Sequence, residues 1–276
     1  MQAEQPFSEP AGRAGRTYAA AADHYSLPAL SFWDRFGSAT VSRLRLAPGA
    51  TVLDLCCGVG ASAIPAAHAV GAGGRVLGVD LAVPLLDLAR GRAVREGLAN
   101  VEFRHGDATR TGLPDGSFDA VVCVFGVFFA PDMAAFVREM WRLVRPGGSL
   151  AVTTWGPGWV EPASSHFWRC VGEVEPSLFK GFNPWDEITT PAALAGLFAR
   201  AGVPHPAVTA AEGRHHLDHP DRFWDIVLGS GYRATVDALS ADQRDRVRDS
   251  VLAELRSREI TVLRTDVVFG TVTRRG

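Results

Sequence analysis

Val52-Leu53-Asp54-Leu55-Cys56-Cys57-Gly58-Val59-Gly60 is an apolar run that reaches an acid and then gives way to a Gly-x-Gly turn. Ala61, Ser62, Ala63 and Ile64 follow, small or apolar residues compatible with a helix. The stretch reads as a buried strand, a tight loop and a helix N-terminus, in that order. Glycine lets such a loop pass through positive φ and approach a ligand with no Cβ in the way. The helix start offers unpaired N–H groups to whatever occupies the loop. A second apolar run, Arg75-Val76-Leu77-Gly78-Val79, also ends in an acid, Asp80. An acid at the tip of the second strand is where a ribose diol is held. The two strands together predict a site for a nucleoside-bearing cofactor.

Which cofactor depends on charge. Gly58-x-Gly60-x-x-Ala63 satisfies the dinucleotide fingerprint, a weak signal by itself. Asp54 argues against it, because a carboxylate repels a pyrophosphate and attracts a cation. S-adenosylmethionine carries an ammonium and a sulfonium and no phosphate. The rival reading, an NAD(P)-dependent oxidoreductase, is further weakened by Asp107 and by the lack of a Tyr-x-x-x-Lys pair: no tyrosine stands four residues before Lys180. A second rival is a non-catalytic nucleoside-binding sensor.

At 276 residues the chain accommodates one large α/β domain with insertions. Its 47% hydrophobic and 21% charged residues are ordinary for a globular enzyme. A net charge of −2 disfavours nucleic acid as partner, since phosphate backbones select basic surfaces. Lys180 is the one lysine among 28 basic residues, which we read as genomic base composition. The four cysteines have neither metal nor disulfide spacing. With no signal peptide and no membrane-length apolar run, a cytoplasmic protein is expected, of undetermined oligomeric state.

Outward from the opening stretch, residues 1–15 are expected to fray, and Arg16 to Leu46 to form two or three short helices that serve as a lid. Pro84 to Gly97 reads as a helix with Gly97 at its C-cap. Asn100 to His105 and Phe118 to Val124 read as strands three and four. A helix capped by Asp132 carries Phe136, Val137, Met140, Trp141 and Val144 inward, and strand five runs from Ser149 to Thr154. Alternation of strands and helices predicts right-handed crossovers, hence a doubly wound, Rossmann-like sheet of seven strands, mostly parallel with an antiparallel last strand. Thr190-Pro191 opens another helix, which Gly202 closes. Ala207 to Leu217 is expected as strand six and Thr261 to Val272 as strand seven, with a capping box Ser240-x-x-Gln243 between them. The domain reading is residues 1–47 as tail and lid helices, then residues 48–276 as the cofactor domain with lid insertions at about 156–189 and 218–260.

Asp54-x-Cys56-x-Gly58-x-Gly60, Asp80, Gly106-Asp107-Ala108, Phe118-Asp119-Ala120-Val121-Val122 and Arg145-Pro146-Gly147-Gly148 occur in a familiar order. Over roughly residues 48–155 the chain resembles the class I S-adenosylmethionine-dependent methyltransferases, closest to the ubiquinone/menaquinone-biosynthesis type. One departure is Cys56, where the first glycine of Asp-x-Gly-x-Gly-x-Gly usually stands; its Cβ restricts the turn. The resemblance implies S-adenosylmethionine as cofactor. Gly58 and Gly60 would face the methionine moiety with Asp54 near its ammonium, and Asp80 would hold the ribose hydroxyls. Asp107 would accept the adenine amino hydrogen beside the Ala108 amide. Cys56, Leu81, Val124 and Phe125 complete the expected cofactor contacts, while Asp119 is expected to be structural.

The tip of strand four, Phe125-Gly126-Val127-Phe128-Phe129, lacks the (Asn/Asp/Ser)-Pro-Pro-aromatic motif common in nucleic-acid and amide N-methyltransferases. Its phenylalanines suggest a small apolar or aromatic acceptor, methylated on O, N or C. Tyr25, Phe128, Phe129, Trp155 and Trp159 are the expected pocket wall, although most lid aromatics must form the lid's own core. No metal constellation is present. His166 and His24 are the candidate general bases, each more readily explained as a surface or capping residue.

Overall fold

The computed structural model describes residues 9–275. Its main sheet holds seven strands: β1 (Thr51–Leu55), β2 (Arg75–Asp80), β3 (Val101–His105), β4 (Phe118–Val124), β5 (Val144–Trp155), β6 (Ala207–Ala211) and β9 (Val267–Thr273). Their order is β3-β2-β1-β4-β5-β9-β6, with β9 antiparallel to both its neighbours and the other pairs parallel. The predicted sheet, including its antiparallel last strand, is the one observed.

Strand periodicity distributes the core. Val52, Val76, Ala120 and Val122 point to one face, where α2 (Phe32–Ser42), α3 (Ala63–Val70) and α4 (Val83–Arg95) cover them. Leu53, Leu55, Val121 and Cys123 point to the other, under α5 (Met133–Leu143) and α7 (Pro191–Arg200). Covering both faces is what a parallel sheet requires. The caps read from sequence are in place: the Asp132 side chain accepts from the Ala135 amide at 2.9 Å, and the Thr190 hydroxyl accepts from Ala193 at 3.2 Å. Ser240 and Gln243 form the reciprocal box that starts α10 (Ala241–Ser257). Asp119 bonds the Thr51 amide at 2.8 Å, pinning the start of β4 to β1.

Four boundaries differ. β5 begins at Val144 rather than Ser149, so Val144, expected on the helix after Asp132, opens the strand instead. The first helix, α1, spans Glu9–Ala21, so residues 9–15 are helical where fraying was expected; residues 1–8 lie outside the described part. The expected sixth strand divides into β6 and β7 (Arg214–His216), and the expected seventh into β8 (Val262–Arg264) and β9. β7 and β8 pair in a small sheet of their own. The break lies where Gly213 meets Thr265: a Cβ on Gly213 would fall 2.1 Å from the Thr265 carbonyl oxygen. The Gly213 amide instead donates to Asp266 at 2.9 Å.

The expected insertions are helical. Residues 156–189 hold α6 (Ala163–Val174) and two 3-10 turns; residues 218–260 hold α8 (Phe223–Leu228), α9 (Arg233–Asp237) and α10. Helix α2 lies directly on the loop after β1: a Cβ on Gly37 would sit 2.1 Å from the Ala61 carbonyl oxygen and 2.4 Å from its carbon. Backbone cannot yield as a side-chain tip can. Gly37→Ala is therefore expected to destabilise the protein by about 1–3 kcal/mol, towards the upper end. Urea denaturation of the variant checks this, and an unchanged midpoint would show that α2 is free to ride outward.

Candidate active site

A cleft opens at the carboxyl ends of β1, β2 and β4, the crevice where open α/β sheets bind ligands. It contains about 930 Å³ of space, part of it open to solvent. Its floor is the loop after β1, with Cys56, Gly58 and Ser62; one side carries Asp80 and Leu81, another Asp107 and Ala108. Val124 and Phe125, from the tip of β4, close the third side. Tyr18 and Tyr25, from α1 and the turn after it, form the roof with Phe129.

The loop geometry explains the residue types. Gly58 has φ +51° and Gly60 φ +81°. At Gly60 a side chain would also meet Ile64 and Phe103, each at 3.1 Å, so that glycine serves the turn and the packing beneath it. Cys56 adopts φ +60°, the left-handed conformation that its Cβ makes costly, and Phe125 follows at φ +54°. Such residues cost of order 1–3 kcal/mol each and persist where surrounding structure holds them. Both lie at the cleft.

Asp80 is tied into the loop. One oxygen accepts from the Gly58 amide at 2.9 Å and the other from Ala82 at 2.8 Å. Each retains a lone pair for a hydroxyl donor. Burial raises its pKa despite these bonds, a state that bonding to a diol would reverse. Asp107 spends one oxygen on Thr109, accepting from its amide at 2.8 Å and its hydroxyl at 2.7 Å. Among the described residues, Asp80 and Asp107 are the charged side chains lining the cleft, and both are acidic. That donor set suits a nucleoside with a cationic tail better than a pyrophosphate.

Asp54 does not line the cleft. It is 1% exposed beneath the loop, accepting from the Ser62 hydroxyl at 2.7 Å, while its other oxygen is buried with no partner among the described residues. Burial raises its pKa to about 7, against the lowering effect of the Ser62 bond. Its reach toward a ligand is thus indirect, through Ser62 or the loop backbone.

The acceptor-side expectations divide. Tyr25 and Phe129 line the cleft. Phe128, Trp155 and Trp159 do not: the 3-10 turn at Val127–Phe129 sends Phe128 against Trp185, with centroids 5.3 Å apart. Trp155 stacks behind Phe125 at 3.8 Å, and Trp159 packs on Trp155, Trp185 and Tyr232. These rings form a buried aromatic cluster beside the cleft. The two histidines also lie outside the cleft. His24 pairs with its neighbour Asp23 at 2.8 Å, and His166 with Arg258, the C-cap of α10, at 3.0 Å. Neither is placed to take a proton from a group in the cleft.

Sequence reading missed Tyr18, Trp33 and Phe136 as cleft residues, taking them only as apolar helix positions. The available signal lay in Tyr18 and Tyr25, whose hydroxyls an apolar helix face does not need. Burial raises the pKa of both, with Asp80 adding to the effect, so both hydroxyls stay protonated. Tyr25 stacks on Trp33 with centroids 5.5 Å apart and planes within 5°.

Comparison with known proteins agrees with this geometry. The methyltransferase domain family matches residues 52–148. A demethylmenaquinone methyltransferase of Listeria monocytogenes is 31% identical over 191 residues, covering 65% of this chain and 81% of that protein. A nocamycin O-methyltransferase of Saccharothrix syringae is 33% identical over 189 residues, covering 67% and 60%. Phosphoethanolamine N-methyltransferase 2 of Haemonchus contortus, solved with S-adenosyl-L-methionine, shares the fold at TM-score 0.56 and 18% identity, over 98% of this chain and 61% of that one. The chain is an enzyme of the class I S-adenosylmethionine-dependent methyltransferases, and belongs to their ubiquinone/menaquinone-biosynthesis type.

Proposed function

We propose that the enzyme methylates an O, N or C nucleophile on a small, apolar or aromatic metabolite. The observation that carries this reading is the cleft's second half: beyond the acids, its wall is Tyr18, Tyr25, Trp33, Phe125, Phe129 and Phe136. Aromatic faces orient a planar acceptor and favour a neighbouring sulfonium. The methyltransferase relatives named for demethylmenaquinone and nocamycin support a metabolite acceptor.

When bound, the cofactor supplies a methyl group on a cationic sulfur. The protein's own work is alignment and exclusion of water. Asp80 would hold the ribose diol, Asp107 the adenine amino group with Ala108 beside it, and the Gly58 loop the methionine portion. Cys56, Leu81, Val124 and Phe125 would pack along the nucleoside. Asp54 would stabilise the ammonium from beneath the loop. Phe129 and Tyr25 would hold the acceptor, with residues 9–47, 156–189 and 218–260 as the lid. Incubation with S-adenosylmethionine and a panel of phenols, enols, amines and carboxylates, followed by product mass analysis, tests the reading. Release of S-adenosylhomocysteine with none of these acceptors, but with a nucleic acid or protein, would overturn it.

Asp80→Ala would remove a charge-assisted bond to the diol together with two supports of the loop. Charge-assisted bonds are worth about 1.5–3 kcal/mol, so cofactor affinity should fall roughly 10- to 150-fold. Calorimetric titration with S-adenosylhomocysteine measures it; an unchanged dissociation constant would leave Asp80 as a helix cap alone.

A further inference from the structure

Cys56 lines the cofactor cleft and is partly accessible, whereas Cys123 is fully buried one strand away. β1 and β4 are parallel neighbours, and their last registered pair is Asp54 with Val122. Leu55 and Cys123 come next in that register, so Cys56 stands one residue beyond the level of Cys123. Adjacent strands lie about 4.7–4.9 Å apart, which brings these two cysteines within the roughly 4.4–6.8 Å that a disulfide's Cα atoms span. In an extended strand Cys56 would face away from Cys123. The left-handed φ of +60° turns its side chain back.

Gly126 shows where both sulfurs lie. A Cβ built there would sit 2.8 Å from the Cys56 sulfur and 2.9 Å from the Cys123 sulfur. Both sulfurs therefore lie within 2.9 Å of one point, and no farther apart than twice that. The absence of a side chain at position 126 leaves the space between the β1 loop and the β4 tip to the two thiols.

We propose that Cys56 and Cys123 form a peroxide-sensitive pair, and that their oxidation to a disulfide shuts the cofactor site reversibly. In the first step the Cys56 thiol gives up its proton and the thiolate attacks a peroxide oxygen; the O–O bond breaks, leaving a Cys56 sulfenic acid and a hydroxide that takes up that proton and leaves as one water. In the second the Cys123 sulfur attacks the Cys56 sulfur, expelling hydroxide, which takes the Cys123 proton and leaves as a second water. The peroxide gains the two electrons that the two thiols lose. The bond tethers the floor of the cleft to the tip of β4, where Cys56 and Phe125 both hold strained conformations. Contact with Cys123 and burial hold the Cys56 thiol well above its usual range. The first step is therefore slow at neutral pH and quickens as pH rises, because the thiolate is the reactive form.

The test is millimolar hydrogen peroxide on the full chain, with and without saturating S-adenosylhomocysteine. Free thiols should fall from four to two per chain, and peptide mass mapping should find Cys56 joined to Cys123. Affinity for S-adenosylhomocysteine should fall at least tenfold and return with dithiothreitol. Bound S-adenosylhomocysteine, by covering Cys56, should slow the loss at least fivefold. Cys123→Ala should retain affinity after the same exposure and dithiothreitol treatment, yet show no cross-link. Four surviving thiols, a cross-link through Cys57 or Cys170, a cross-linked enzyme with unchanged affinity, or equal protection-free kinetics with and without ligand would each overturn the proposal. The wild-type thiol count decides the matter even if Cys123→Ala fails to fold.

Discussion

Asp54→Asn is expected to make the ligand-free protein more stable above neutral pH, by about 4 kcal/mol relative to its effect at pH 4. Asp54 titrates near pH 7 in the fold because burial opposes its charge, against about 3.9 in an unfolded chain. A carboxyl raised in this way binds a proton in the folded state that the unfolded state has already lost. Its contribution is fully present below about pH 4, declines as pH rises, and is gone above about pH 7. The shift of roughly three units corresponds to about 4 kcal/mol at 1.36 kcal/mol per unit. Asparagine keeps the shape and the Ser62 contact without the titration, so the two proteins should diverge between pH 4 and pH 7 and run parallel above. Chemical denaturation across that range measures the difference, and coincident pH slopes would refute the assignment. The proposed ammonium contact predicts the opposite trade in binding. Wild-type affinity for S-adenosylmethionine should rise with pH up to about 7, while the variant binds more weakly without that rise.

Trp159→Ala and Phe129→Ala should separate cleanly, although both residues are lid-side aromatics. Trp159 is 6% exposed and packs against Trp155, Trp185 and Tyr232. Its truncation removes a fully packed ring and should cost about 3–5 kcal/mol of stability, lowering cofactor and acceptor affinity together. Phe129 borders the cleft and meets Tyr18 edge-on at 5.4 Å. Its truncation should raise the acceptor KM or lower turnover with a smaller loss of stability and little change in cofactor affinity. Thermal midpoints and separate ligand affinities on both variants provide the comparison. Parallel behaviour of the two would place the acceptor elsewhere.

The contrast between these rings shows how far sequence carries. The strand-loop-helix around Gly58 and Gly60 was legible because each of its signals is local: apolar run, acid, glycine turn, small residues. The mostly parallel, doubly wound sheet followed from alternation, and the caps at Asp132, Thr190 and Ser240 from residue type and spacing. Pocket membership was not local. Phe128 and Phe129 are neighbours, and only the 3-10 turn decides which one faces the cleft. His24 and His166 looked like proton acceptors in isolation, but Asp23 and Arg258 engage them away from the cleft. Tyr18 looked like a core position until α1 was seen to run across the roof. The split of β6 from β7 turned on Gly213 touching Thr265, a contact across more than fifty residues that no local pattern records.

The placement of β9 between β5 and β6 also sets a timetable. Among the described residues β6 has no partner in the main sheet other than β9, and Ser149 of β5 must wait for Thr273, 124 residues later in the chain. At a synthesis rate of about 5–20 residues per second, that interval is roughly 6–25 seconds. During it the nascent sheet presents the open edge of β5, flanked by apolar Leu150 and Val152, to whatever surrounds the ribosome. Pairings of such long sequence separation also slow the final folding step. A chaperone that shields exposed strand edges should therefore matter more to the yield of this protein than to its stability once folded.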